Sequence, residues 1–229
     1  MKISTVNVAL IAVFAALQAL LAIFPFTITI GVSGQITLGI IGGSLIGILL
    51  GPIIGGLAVL IGSFIGIFLN PAGAIFSIFT IIPPSLGAFG AGCIKIKRGY
   101  AAGIVILTSL LVFYANPFGR EAFAYPWLHI LAMIVAFSPM AHVAGSTFSS
   151  SKSARSMLGI AIAAFVGVLT DHIAGSAIAI WYFSIPSGVW YATMLIYPIE
   201  RIVALVLVVI IVTPVYYSLR KAGIINQQK

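Results

Sequence analysis

The sequence predicts an all-α protein, a polytopic helical bundle embedded in a membrane, and three observations carry that prediction. The 229 residues are 62% hydrophobic and only 6% charged, with a mean hydropathy of +1.25, far outside the soluble range. Apolar runs of roughly 15 to 28 residues, parted by short polar or Gly/Pro clusters, repeat from end to end and leave no stretch for a soluble domain. Basic residues fall in every second connection: Lys2, then Lys95, Lys97 and Arg98, then Lys152 and Arg155, then Arg220, Lys221 and Lys229. That is the positive-inside pattern, so the net charge of +8 reports topology rather than nucleic-acid binding. One membrane domain over residues 1–229, lying in the lipid bilayer of the cell membrane, is expected.

The expected segments run over about 6–24, 36–50, 53–69, 72–94, 101–115, 127–148, 157–183 and 192–219. In the first, Lys2 and an apolar centre imitate a secretory leader, but the later spans would anchor the chain anyway, and the segment is retained. Ala9, Ala12, Ala16 and Ala19 line one helical face with small side chains. Such a face suits close approach of another helix, within the chain or from a separate subunit. Gly39, Gly43, Gly47, Gly51 and Gly55 recur every four residues through the second and third segments, with Gly62 and Gly66 beyond and Pro52 breaking the helix. Tight packing inside the chain is the plain reading.

Pro83 and Pro84 interrupt the fourth segment. Segments 36–50 and 101–115 would be only ~22 Å long, short of the ~30 Å hydrocarbon core. The count is eight spans, or six if two segments pair as a re-entrant hairpin, with both termini cytoplasmic in either case. "NPAG" at 70–73, "NPFG" at 116–119 and "IPSG" at 185–188 share Pro-x-Gly turn chemistry. Recurrent turns explain this, and an internal duplication is the sharper alternative. Trp127, Trp181 and Trp190 all fall near the predicted outer surface, where interfacial anchors belong.

An N-terminal helix with an AxxxA face from Ala12 to Ala16 is followed by a short Gly-rich helix and "LLGPIIGGLAVLIGSFIG"; the chain closes on "YPIERIVALVLVVIIVTPVYYSLRK". In these features it resembles the substrate-binding S component of energy-coupling factor (ECF) transporters, most strongly over about 6–94 and 194–221. The resemblance implies a small helical bundle, commonly of six spans, that captures a vitamin-like micronutrient from outside. It further implies association with a membrane coupling protein and two cytoplasmic ATPase subunits. By the same resemblance, Ala12 and Ala16 form the face on which the coupling protein docks. No motif names one vitamin.

The chain has three acidic residues, Glu121, Asp171 and Glu200. Glu121 sits beside Arg120 in a predicted outer loop. Counting ~1.5 Å per residue puts Asp171 at ~18 Å and Glu200-Arg201 at ~13 Å depth, near one level of the bundle. A charge at the bilayer centre costs about 2.5 to 3.5 kcal/mol on insertion scales, so these residues should face inward and find partners. Adjacent helical side chains diverge by ~100°, which favours an Arg201–Asp171 contact across two helices over an Arg201–Glu200 contact. Glu200 then needs a donor, a ligand or a proton. A buried ion pair that fixes helix register is the plain reading of the trio.

A ligand site in the outer half, formed by the last helices and roofed by outer loops, is the functional reading. Its candidate residues are Asn116, Arg120, Trp127, His129, Asp171, His172, Trp181, Trp190, Glu200 and Arg201, with Tyr182, Tyr191 and Tyr197 nearby. One or two of the aromatic rings would stack on a heterocyclic ligand. Asn116 fits turn stabilisation equally well. His172 follows Asp171 directly and points to a different neighbour, and His129 and His142 are ~20 Å apart along a helix, too far to share a metal.

Cys93 is the single cysteine, which excludes an intrachain disulfide and Cys-based metal sites. With no phosphate-binding loop, HExxH or GxSxG, neither ATP hydrolysis nor familiar hydrolase chemistry is encoded, and no catalytic residue, cofactor or metal is expected. Two transport classes follow: a binding subunit powered by ATPases elsewhere, and a secondary transporter in which Asp171 and Glu200 carry protons or sodium. A non-transporting scaffold is a third.

Overall fold

A computed structural model describes residues 4–26, 36–37, 39–150 and 153–224; Lys2, Lys152 and Lys229 lie outside them. Helix α1 (Thr5–Ile23) begins at Ser4, whose Oγ accepts a hydrogen bond from the Asn7 amide at 3.2 Å and so caps the first turn. A two-residue antiparallel pair, Pro25–Phe26 with Ile36–Thr37, precedes α2 (Gly39–Leu50) and α3 (Pro52–Leu69). Gly51 alone separates these two helices. Its φ of +84° is a left-handed conformation that a side chain would oppose, and Pro52 then takes a first-turn position where its missing N–H is not needed.

Two 3-10 turns, Pro71–Gly73 and Ser77–Ile81, lead into α4 (Ile82–Lys95). Pro83 and Pro84 thus stand in the first turn of α4: the expected interruption of a span is the start of a helix. Then come α5 (Gly99–Ala115), the short α6 (Pro117–Glu121), α7 (Trp127–Phe137) and α8 (Pro139–Thr147). The expected single segment 127–148 is bent by 71° between α7 and α8. Pro139 has no N–H to continue the helical ladder, and the Ser138 Oγ accepts from the Met140 amide to start the next one. The chain ends with α9 (Ser153–Tyr182), the short α10 (Ser187–Thr193) and α11 (Tyr197–Lys221).

Each of the eight expected segments has a helical counterpart. Among the described residues, five helices are long and apolar enough to cross a membrane, or six if α7 and α8 count as one bent span; α2 and α5 are apolar but shorter. Ten of the 12 residues of α2 are buried, and it packs against α1, α3, α4, α9 and α11. It is the central post of the bundle. Gly43 and Gly47 make this possible, because a Cβ at either would run into the α4 backbone at Pro84 or Ala88. On the far side of α4, Gly87 and Gly90 admit Gly167, Thr170 and Asp171 of α9. The regular glycine spacing therefore serves packing within this chain.

The described residues of the basic clusters lie together at one end, whereas Arg201 lies at the other. Lys95 Nζ donates to the Leu49 carbonyl at 2.7 Å beside the α2–α3 turn, and Lys97 packs on Gly145 of α8. The Arg220 guanidinium donates to the carbonyls of Phe148, Ser149 and Ser150 at 2.9 to 3.1 Å. The C-terminal end of α1 lies at the opposite end, where Asn70 Nδ2 donates to the Ala22 carbonyl at 3.1 Å. Both the start of α1 and the close of α11 are thereby on the basic side.

Candidate functional site

The end remote from the basic clusters contains a cavity of about 440 Å³, within the size range of small-molecule sites. Its walls come from α1 to α4, from α9 to α11 and from connections, and from none of the helices α5 to α8. Gln18 and Ala22 of α1, Gly39 and Ile40 of α2, Ser63 and Gly66 of α3, and Pro83 and Pro84 of α4 form one side. Asp171, His172 and Ser176 of α9, Val189, Trp190 and Thr193 of α10, and Tyr197, Glu200 and Arg201 of α11 form the other, with Phe76 and Tyr125 contributed by connections. The sequence pointed to the last helices and outer loops; the site is wider, because α1 to α4 supply one whole side.

Five candidate residues line it: Asp171, His172, Trp190, Glu200 and Arg201. The other five do not. His129 is wholly buried behind His172, its Nε2 3.0 Å from His172 Nδ1. Asn116 caps α6 through its side-chain oxygen and donates to the Ile180 carbonyl at 3.4 Å, the turn-stabilising role. Arg120 is exposed on α6. Trp127 and Trp181 are also exposed, and Trp181 Nε1 donates to the Val112 carbonyl at 2.9 Å. Trp190 departs from the expected interfacial role: it is buried, with its ring edge-on to Phe113 and Tyr125 at 5.1 and 4.8 Å.

Aromatic side chains hold the charged end of the cavity in place. The Tyr197 hydroxyl donates to the Tyr125 carbonyl at 3.0 Å, and the Tyr125 hydroxyl lies 3.0 Å from Ser176 Oγ. The His129 ring stacks on Tyr197 with centroids 5.1 Å apart. These contacts tie the start of α7 to α9 and α11.

The ion pair differs from the expected one. Arg201 Nη2 is 3.6 Å from Glu200 Oε2, and no Arg201–Asp171 salt bridge is present among the described residues. Both partners are long side chains in the first turn of α11, so their flexible stems bridge the ~100° between adjacent Cβ positions. One contact at that distance leaves most of the five guanidinium N–H donors unused, and Nε has no acceptor. Asp171, 7% exposed, makes no salt bridge or hydrogen bond among the described residues, although Arg201 is within electrostatic reach of it. Two buried side chains of opposite charge therefore face one cavity with spare capacity.

Sequence reasoning missed Gln18, Ser63, Phe76 and Ser176. Gln18 had a signal: an amide deep in an apolar helix, about three turns beyond the Asn7 of its first turn. Its Nε2 donates to the Gly39 carbonyl at 3.4 Å and to Ser63 Oγ at 3.3 Å, joining three helices at the cavity wall. Phe76 lies in a loop turn and carries no such mark. Among the described residues no group of three or more His, Cys, Asp or Glu could hold a metal.

The Ala face is split by the fold. Ala15 and Ala19 are buried against α3 together with Gln18, whereas Ala9, Ala12 and Ala16 are exposed.

An uncharacterized protein of Methanocaldococcus jannaschii is 32% identical over 153 residues, which is 67% of this chain and 51% of the relative. The chain spans about half the length of that protein. No solved structure matches it. The family described as "ECF-type riboflavin transporter, S component" matches residues 2–151, which comprise α1 to α8 and stop short of Asp171, Glu200 and Arg201. On that match, over more than half its length, the chain belongs to the family of ECF-type riboflavin transporter S components, membrane-integral transport proteins.

Proposed function

We propose that the protein is the substrate-binding subunit of an ECF-type uptake system for riboflavin or a closely similar flavin. It captures the vitamin from outside and presents it to a membrane coupling protein driven by two cytoplasmic ATPases. The observation that carries this reading is the cavity. Its aromatic wall of Phe76, Tyr125, Trp190 and Tyr197 suits a planar ring system, and its polar groups suit a ligand rich in donors and acceptors. The cavity opens away from the basic end, which the positive-inside rule places in the cytoplasm.

Partner docking is assigned to the exposed small-residue face of α1, Ala12 and Ala16. Small side chains let a partner helix approach closely, and neither residue is needed for packing inside the bundle.

Three measurements test the reading. Riboflavin titrated into the purified protein should quench both flavin and tryptophan fluorescence with saturation at one equivalent; absence of saturable binding would remove the substrate assignment. Ala12→Trp combined with Ala16→Trp should abolish cellular uptake while leaving that titration unchanged. Unaltered uptake in the double variant, or a native membrane preparation in which no ATPase subunit accompanies the protein, would favour ion-coupled secondary transport.

A further inference from the structure

The cavity contains an unusual pairing. Asp171 and Arg201 come from different helices, are each 7% exposed, and both line the same space. Neither is neutralised by a close direct contact with the other. Arg201 has one 3.6 Å contact to Glu200 and an Nε with no acceptor, and Asp171 offers two carboxylate oxygens that no described group uses. Charged groups this deep in a bundle are costly to leave unsatisfied. A ligand that brings an N–H or O–H to Asp171 and an acceptor to Arg201 would satisfy both.

We propose that Asp171 and Arg201 form a subsite for one edge of a planar heterocycle, an N–H flanked by carbonyl oxygens, as in a cyclic imide. Asp171 accepts the N–H and the Arg201 guanidinium donates to an adjacent carbonyl. This inference rests on the flavin reading above, because the pyrimidine-like ring of a flavin carries that edge at N3 between C2=O and C4=O.

Three features favour this head group over the other ligand chemistry that uses one acid and one base, a small zwitterion. The aromatic rings of Trp190, Tyr125 and Tyr197 stand in the same half of the cavity, where a ring inserted edge-first would be flanked by apolar faces. The space of about 440 Å³ is large for an amino acid. Glu200 already shares Arg201, which weakens the guanidinium as a partner for a full carboxylate but leaves donors for a neutral carbonyl.

The test uses riboflavin and N3-methylriboflavin, in which the N–H is replaced and the carbonyls are kept. Titrations are made on the full-length protein and on Asp171→Ala and Arg201→Gln. The unaltered protein should bind the methylated flavin about 10- to 100-fold more weakly, the range for losing a hydrogen bond to a charged partner. In Asp171→Ala riboflavin itself should weaken by a similar factor, and the ratio between the two flavins should fall to about 1 to 3. Equal affinity of the unaltered protein for both flavins overturns the subsite while leaving flavin binding intact, and this arm needs no variant to fold. A large ratio that persists in Asp171→Ala overturns the assignment to that residue. Failure to bind either flavin overturns the flavin reading and this inference together.

Discussion

Two buried cations stand at opposite ends of the bundle, and their surroundings differ. Lys95, 8% exposed, donates to the Leu49 carbonyl at 2.7 Å, and its Nζ sits 5.8 Å from the centre of the Tyr216 ring. Arg201, 7% exposed, has one long contact to a neighbouring carboxylate and an Nε without an acceptor. The first is spent on closing the α2–α3 turn against α4 and α11. The second is held ready. Equal burial thus marks structure at one end and, on the proposal above, recognition at the other, and what separates them is the use made of their donors.

Four substitutions can break or sharpen that contrast. Gly47→Leu should have the largest effect: any Cβ there meets the Ala88 carbonyl region, a backbone that cannot yield, and folded protein should not be recovered from detergent extracts. The measurement is monodispersity on size exclusion, and a normal elution profile would show that α2 is not the packing post described. Arg201→Gln comes next, with riboflavin affinity falling about 10- to 100-fold by fluorescence titration. Its melting temperature without ligand should change less than that of the Lys95 variant. Equal destabilisation of the two would erase the distinction between them.

Lys95→Met should lower stability by roughly 1 to 3 kcal/mol, because the Leu49 carbonyl loses its partner, while flavin affinity stays within about twofold. Thermal melts with and without riboflavin separate these quantities. Smallest is Glu121→Ala. The Glu121 carboxylate accepts from Ser187 Oγ at 2.8 Å, linking α6 to α10, which supplies Trp190 to the cavity. Loss of that exposed link should raise the flavin dissociation rate about 2- to 5-fold in stopped flow. An unchanged rate would mean that α10 is held by Trp190 packing and by the Tyr191 hydroxyl, which donates to the Glu121 backbone carbonyl at 2.8 Å.

Much of the architecture was legible because hydrocarbon imposes simple arithmetic. The apolar runs located all eight helical segments, and the alternation of basic clusters gave a shared end for the described residues of those clusters. What was not legible was how local breaks are used. Pro83-Pro84 and Pro139 look alike as interruptions, yet the first opens α4 and the second bends a segment by 71°. Only the preceding residues decide, since Ser138 can cap a new helix whereas α4 is reached through a 3-10 turn. Depth counting brought Asp171, Glu200 and Arg201 to one level, and they share the cavity. Their pairing was misjudged because helical wheels describe Cβ directions, and long side chains are not bound by them. Gln18 and Ser63 were missed because the search began from charge, and an amide joined to a hydroxyl carries none.

The bend between α7 and α8 also bears on the lipid. A straight helix of that length would reach ~30 Å, but with the second part turned by 71° the pair rises only ~20 Å, beside α5 at ~26 Å. Leu107, Leu111, Ile134, Met140 and Val143 on this flank are exposed apolar side chains. Their belt is therefore shorter than the hydrocarbon of an undisturbed bilayer, while α9 and α11 are taller. A bilayer of ordinary thickness beside α5, α7 and α8 would have to thin, or the whole bundle lean, to keep that flank covered.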